Sequence, residues 1–134
     1  MSYTVTKSHH FCYGHRLLNY NGKCHHLHGH SGRADITLRT DALDSRGLSY
    51  DFFEIKEKIG KWIDDTFDHK MLLEKSDPIA ELLASKKHTL CLIDCPPTAE
   101  NIARMIYTHA KESGLPIVSV TLWESDNSWA RFEP

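Results

Sequence analysis

Phe11–Leu38, FCYGHRLLNYNGKCHHLHGHSGRADITL, decides how this chain is read. Six of the ten histidines fall between His10 and His30. Within the stretch, His15 precedes the spacing Cys24-x3-His28-x-His30. Three imidazoles and a thiol at such short range are what a zinc site with its own nucleophile requires. A strand that ends near Leu38 and begins by His28 places His28 and His30 on one face, because side chains alternate with period two. They then lie about 7 Å apart along the strand, close enough to meet on one ion. His15 supplies a third ligand from the neighbouring strand, after the chain reverses at Asn19–Gly22. Three imidazoles with an open fourth position form a catalytic rather than a structural pattern.

Other readings of the same residues stand beside this one. A histidine-rich run also arises as a solvated loop, a purification-tag remnant or an adventitious metal trap. A tag does not fit, since these histidines are internal and interrupted by apolar residues and glycine. Alternatively, Cys24 joins His15, His28 and His30 in a closed structural zinc centre. On residue types and spacing alone, the catalytic and structural centres stand level.

The rest of the chain bounds the problem. Its 134 residues suit one domain, 1–134, with a single core. It is 40% hydrophobic and 25% charged, with a formal net charge of −2. That balance leaves no electrostatic footprint for nucleic acid or an anionic membrane. No apolar run is long enough to span a bilayer, and MSYTVTKSHH has no signal-peptide core, so a cytoplasmic location is expected. Cys12, Cys24, Cys91 and Cys95 are then expected reduced. Cys91 and Cys95 flank an apolar LID and read as small core residues.

Tyr3 to Tyr13 is rich in Thr, Val, Tyr and Phe and reads as a strand, with Val5, Phe11, Tyr13 and His15 of one parity. Asn19–Lys23 is a turn. A second strand runs from His28 to Arg39, antiparallel to the first. Ala34, Ile36 and Leu38 form its apolar face, which His28 and His30 extend. Ile55, Ile59, Trp62, Ile63 and Phe67 recur at helical spacing, predicting a helix over Phe53–Thr66 that starts at Asp51. Ile79–Ala84 adds a short helical turn. A second long helix starts at Thr98, with Glu100 in its first turn, and ends at Gly114. Ile117–Trp123 and Trp129–Glu133 form a hairpin, and Glu124 places a carboxylate at the end of an apolar face. The order ββααββ predicts an α+β fold, a four-stranded antiparallel sheet with two helices on one face. Its open edges call for pairing, which closure of several subunits into a shared barrel supplies.

Six landmarks, in order, resemble the 6-pyruvoyl-tetrahydropterin synthase / 6-carboxytetrahydropterin synthase family. FCYGHRL is similar to its F-x-A-A-H-R-L, KCHHLHGHS to K-C-x-x-L-H-G-H, and YDFFEIK to D-F-x-x-[IL]-K. FDHKML is similar to its D-H-x-x-L segment, PPTAENIA to P-T-x-E-N-[IVL]-A, and WESDN to its E-[TS] strand end. The resemblance implies the tunnelling fold, trimers closing into a barrel, two trimers stacking into a homohexamer, and active sites between subunits.

The resemblance also assigns residues. His15, His28 and His30 become Zn²⁺ ligands, and Cys24 the catalytic thiol with Asp68 and His69 in its proton relay. Glu124 anchors the pterin ring, assisted by Thr98 and Glu100, and Arg16 or Lys23 could meet the triphosphate. Asp68 and His69, being adjacent, are not expected to bond each other directly. Simpler readings are a helix C-terminal cluster for Asp68-His69, a strand-end charge for Glu124 and an N-cap for Thr98. The implied activity is 6-carboxy-5,6,7,8-tetrahydropterin synthase, a lyase of queuosine and 7-deazapurine synthesis acting on 7,8-dihydroneopterin triphosphate. The alternatives are 6-pyruvoyl-tetrahydropterin synthase of the biopterin route, and a zinc-binding module without turnover. The chain departs from the family pattern at Tyr13-Gly14, where a small pair is usual, at Gly32, where a bulky residue is common, and at Leu73.

Overall fold

A computed structural model describes all residues, Met1–Pro134. Strands β1 (Tyr3–His15) and β2 (His28–Thr40) pair antiparallel along their whole length, from Tyr3 opposite Thr40 to His15 opposite His28. Both strands alternate. Phe11, Tyr13 and His15 of β1 are buried, as are Ala34, Ile36 and Leu38 of β2. Strand β5 (Ile117–Ser125) pairs antiparallel with β2, and β6 (Ser128–Phe132) with β5. These four strands match the expected ones, with β1 reaching two residues further to include His15.

The sheet is larger than the expected four strands. Its order is β4-β3-β1-β2-β5-β6, six strands in all. Strands β3 (Lys70–Glu74) and β4 (Leu90–Ile93) run parallel to β1 and to each other, so the sheet is mixed rather than antiparallel. Parallel neighbours need a crossover, and helix α3 (Ile79–Ser85) provides it between β3 and β4. The predicted helical turn is therefore a third helix. Leu73 and Leu72 point to opposite faces by strand alternation, yet both are fully buried. This corner of the sheet is thus covered on both sides, which corrects the expected layering of helices on one face.

The first predicted helix forms in three pieces: α1 (Phe52–Ile55), a π-helical stretch Lys56–Gly60, and α2 (Lys61–Thr66). Asp51 caps its start by accepting from the Phe53 N–H at 2.9 Å. The π stretch passes close to β1, where a Cβ on Gly60 would stand 2.9 Å from His9 Nδ1. One turn on, His9 Nε2 bonds Asp64 at 2.7 Å, tying helix to strand. Helix α4 (Ala99–Glu112) contributes Ile102, Ala103, Ile106, Tyr107 and Ala110 to the same buried cluster as Ile55, Ile59, Ile63 and Phe67. That cluster lies between these helices and the face of β1, β2 and β5 that also carries His15. No helix is long and apolar enough to cross a membrane. Cys91, on the edge strand β4, and Cys95, in the loop that follows it, are only half-buried rather than core.

Beyond β1, Arg16 forks onto Asp77 just before α3, its Nε donating to Oδ2 at 2.7 Å and its Nη2 to Oδ1. Asp77 is 3% exposed and also accepts from the Ile79 N–H at 3.0 Å. The Arg16 hydrogen bond, against the opposing effect of burial, holds the Asp77 carboxyl below its ordinary range. Arg16 therefore fixes the chain leaving β1 instead of standing free for a phosphate. Arg16→Ala leaves a buried carboxylate without its cation and should destabilise the protein by about 3 kcal/mol in urea unfolding. Because the folded pKa is depressed, the Asp77 contribution is full above about pH 4 and fades as pH falls below it. The penalty of the variant should shrink accordingly in acid.

Candidate metal centre and active site

His15 ends β1 directly opposite His28, the first residue of β2, and His30 lies two residues further along, opposite Tyr13. Strand alternation therefore turns all three rings to one face. Their centroids are 4.6 Å (His15–His28), 5.0 Å (His15–His30) and 5.1 Å (His28–His30) apart. One nitrogen from each ring falls within 4.8 Å of the others. The Nε2 atoms of His15 and His30 are 3.1 Å apart. A tetrahedral ion bound about 2.0 Å from each ring would set its nitrogens roughly 3.3 Å apart, so the cluster is near the size an ion needs.

Backbone carbonyls fix which nitrogen faces inward. His15 Nδ1–H donates to the Pro97 carbonyl at 2.6 Å, and His28 Nδ1–H to the His26 carbonyl at 2.7 Å. Each leaves its Nε2 lone pair bare, the tautomer a metal ligand requires. Burial lowers the His15 pKa, against the Pro97 hydrogen bond that raises it, and burial likewise lowers that of His30 against Glu124. Neutral imidazole suits a borderline cation such as zinc. The residues present fit such an ion.

Glu124, near the end of β5, reaches the cluster. Its Oε2 stands 2.8 Å from His30 Nε2 and 3.5 Å from His15 Nε2. Behind it lies Tyr13, 3% exposed, its ring edge-on to His15 at 5.2 Å and inclined to His30 at 5.6 Å. The Tyr13 hydroxyl is buried without a hydrogen-bond partner, a loss of about 1–3 kcal/mol. Burial, then the charge of Glu124, push its pKa well above the ordinary phenol range.

The remaining expected residues lie further out. Thr98 is the N-cap of α4, accepting from the Asn101 N–H at 3.2 Å. Asn101 Nδ2 donates to the Pro96 carbonyl at 2.9 Å, so the α4 start is pinned where Pro97 meets His15. Glu100 is exposed in the first turn of α4. Cys24 sits half-buried in a 3-10 turn, Lys23–His25, between β1 and β2, and its sulfur is outside the three-histidine cluster.

Asp68 and His69 follow α2. Asp68 Oδ1 accepts from the Cys12 N–H at 2.9 Å, and the His69 N–H donates to the Cys12 carbonyl at 2.7 Å. Contrary to expectation, the two side chains bond directly, His69 Nδ1 to Asp68 Oδ2 at 2.8 Å. The left-handed backbone at His69, φ 58°, accompanies this contact between neighbours. Burial works to raise the Asp68 pKa, but the Cys12 N–H and His69 outweigh it and hold it low. The His69 ring is 79% exposed. It lines a cleft of about 690 Å³ with His28, His30, Ser31, Lys70 and His88, a cleft that Cys24 and Glu124 do not line. One chain thus gathers the histidines and Glu124, with His69 on a cleft that His28 and His30 also line, while Cys24 sits off that cleft.

The sequence reading missed Pro97, His26 and the position of Tyr13. The first two act through backbone carbonyls, which carry no residue-type signal. Tyr13 carried one, its bulk where the resemblance has a small residue.

A family model described as 6-pyruvoyl tetrahydropterin synthase matches residues 4–134. The chain belongs to this family. It is 32% identical over 125 residues to the 6-carboxy-5,6,7,8-tetrahydropterin synthase of Rickettsia conorii, covering 85% of this chain and 88% of that one. The Haemophilus influenzae protein of the same name is 30% identical, with 98% of this chain and 99% of that one covered. The 6-pyruvoyl tetrahydropterin synthase family fold is seen in the Caenorhabditis elegans 6-pyruvoyl tetrahydropterin synthase structure. It superposes with a TM-score of 0.74 at 22% identity, over 100% of this chain and 96% of that one.

Since burial keeps His15 and His30 neutral below the ordinary imidazole range, protons compete poorly for this cluster. Zinc affinity measured by calorimetry should weaken with acid later than binding to free imidazoles of ordinary pKa, about 6.5. A decline beginning near pH 8 would contradict this geometry.

Proposed function

We propose that the chain is a zinc-dependent 6-carboxy-5,6,7,8-tetrahydropterin synthase. Its substrate is 7,8-dihydroneopterin triphosphate, its co-products are triphosphate and acetaldehyde, and its place is queuosine and 7-deazapurine synthesis in the cytoplasm. One observation carries the chemistry: three imidazole nitrogens converge while the Cys24 sulfur lies outside them. The names of the Rickettsia and Haemophilus relatives support the 6-carboxy product.

His15, His28 and His30 would hold Zn²⁺, which as a Lewis acid acidifies hydroxyls of the substrate side chain. Cys24, free of the ligand set, moves protons at the pterin and side-chain carbons. Asp68 orients His69 through the 2.8 Å hydrogen bond and stabilises its protonated form, as the acid does in hydrolase triads. Glu124 accepts the paired N–H groups of the pterin edge. Thr98 and Glu100, at the α4 start, would assist in anchoring the pterin, with Thr98 also capping the helix.

The relay closes between subunits. His69 is exposed at a cleft that Cys24 of the same chain does not line, so a neighbour brings the two together. The edges support this assembly, since β4 and β6 end the sheet on either side with Leu92 and Trp129 exposed. A homohexamer, a dimer of trimers, satisfies both edges and the divided site.

Product analysis tests the reading. The purified zinc-loaded protein should release acetaldehyde from dihydroneopterin triphosphate. Triphosphate release without acetaldehyde would replace the reading with the 6-pyruvoyl reaction, the activity for which the matching family model is named. Cys24→Ala should keep one zinc per chain and lose at least a hundredfold in kcat. Loss of zinc in that variant would make Cys24 a ligand of a structural centre.

A further inference from the structure

Tyr13 and Gly32 act as a pair. A Cβ built on Gly32 would stand 3.0 Å from Tyr13 Cε1, so the phenol ring lies across β2 at a residue without a side chain. On the far side of β2, Arg33 pairs with Trp123, which sets Gly32 beside Glu124 on the next rung. The ring therefore reaches from β1 across β2 towards the Glu124 carboxylate. Stacking on Phe11, at 5.3 Å and 26°, holds it in that direction. This is an exchange of bulk within the chain, the Tyr13 ring occupying the space that a side chain at position 32 would take.

The hydroxyl that this exchange delivers has no partner. Glu124 is meanwhile engaged by His30, Oε2 to Nε2 at 2.8 Å. That same Nε2 approaches His15 Nε2 and faces the metal position. An imidazole nitrogen has one lone pair or one hydrogen, so it cannot both ligate an ion and donate to Glu124. When His30 takes an ion, its proton moves to Nδ1 and Glu124 loses its donor.

We propose that Tyr13 is a positioning residue for Glu124: with the histidines committed to an ion, the Glu124 carboxylate leaves His30 and accepts the Tyr13 hydroxyl. The hydroxyl would then hold the carboxylate away from the three histidine nitrogens and turned to the N–H edge of the substrate. The inference rests on the metal and pterin reading above.

A mutant cycle tests it with readouts other than turnover, using Tyr13→Phe, Glu124→Gln and the double variant, each metal-free and zinc-loaded. Binding of a non-reacting pterin is followed by fluorescence titration, and folding by thermal melting. In metal-free protein, Tyr13→Phe should melt at or above the wild-type temperature, because it removes an unpaired buried hydroxyl. In zinc-loaded protein it should weaken pterin binding about tenfold, one hydrogen bond's worth. Glu124→Gln should absorb that effect, so that the double variant binds no worse than Glu124→Gln alone. Equal losses with and without zinc, or additive losses in the cycle, would overturn the role. Wild-type protein that takes up no zinc would overturn the metal reading and this inference together, whereas wild-type uptake without coupling would overturn the inference alone.

Discussion

The pairing of β1 with β2 is the constraint on which the site depends. Thirteen consecutive cross-strand partners, from Tyr3–Thr40 to His15–His28, fix the register far from the site as well as at it. A slip of one residue would turn His28 and His30 to the opposite face from His15. The same slip would expose Ala34, Ile36 and Leu38, which are fully buried. The core thus enforces the geometry of the histidines, and no separate device is needed to bring them together.

Burial at the end of that ladder also sets the chemistry. His15 is nearly enclosed, and its Nδ1 donates to a carbonyl of the segment leading into α4. The sheet supplies the histidines, the α4 start supplies the orientation of one of them, and β5 brings Glu124 from the other side. Cys24, in contrast, is held on a short turn outside the long strands. On the proposed reading, histidines on rigid strands would hold an ion and a thiol on a turn would move protons.

Legibility in the sequence followed the strength of local patterns. The long alternation of β1 and β2 and the helical stripes around Ile59 and Ile106 were readable, as was the placement of His15, His28 and His30 on the core-facing side. Strands β3 and β4 were not. MLL and LCLI are short apolar runs without alternation, which fit a strand or a buried helix end equally well. Their parallel pairing also depends on the α3 crossover, a tertiary fact. The Asp68–His69 contact was misjudged because it accompanies a left-handed backbone at His69, a conformation uncommon outside glycine that the residue types did not announce. The partners of His15 and His28 are main-chain atoms, invisible to any reading of side chains.

The central claim is that an ion here is gripped by three ring nitrogens with no sulfur among its ligands. X-ray absorption at the zinc edge of the loaded, substrate-free protein tests it most directly. The account predicts nitrogen or oxygen scatterers alone, at about 2.0 Å, with the multiple-scattering signature of imidazole. A sulfur scatterer at about 2.3 Å would contradict it, because the thiol would then be a ligand rather than a mobile base.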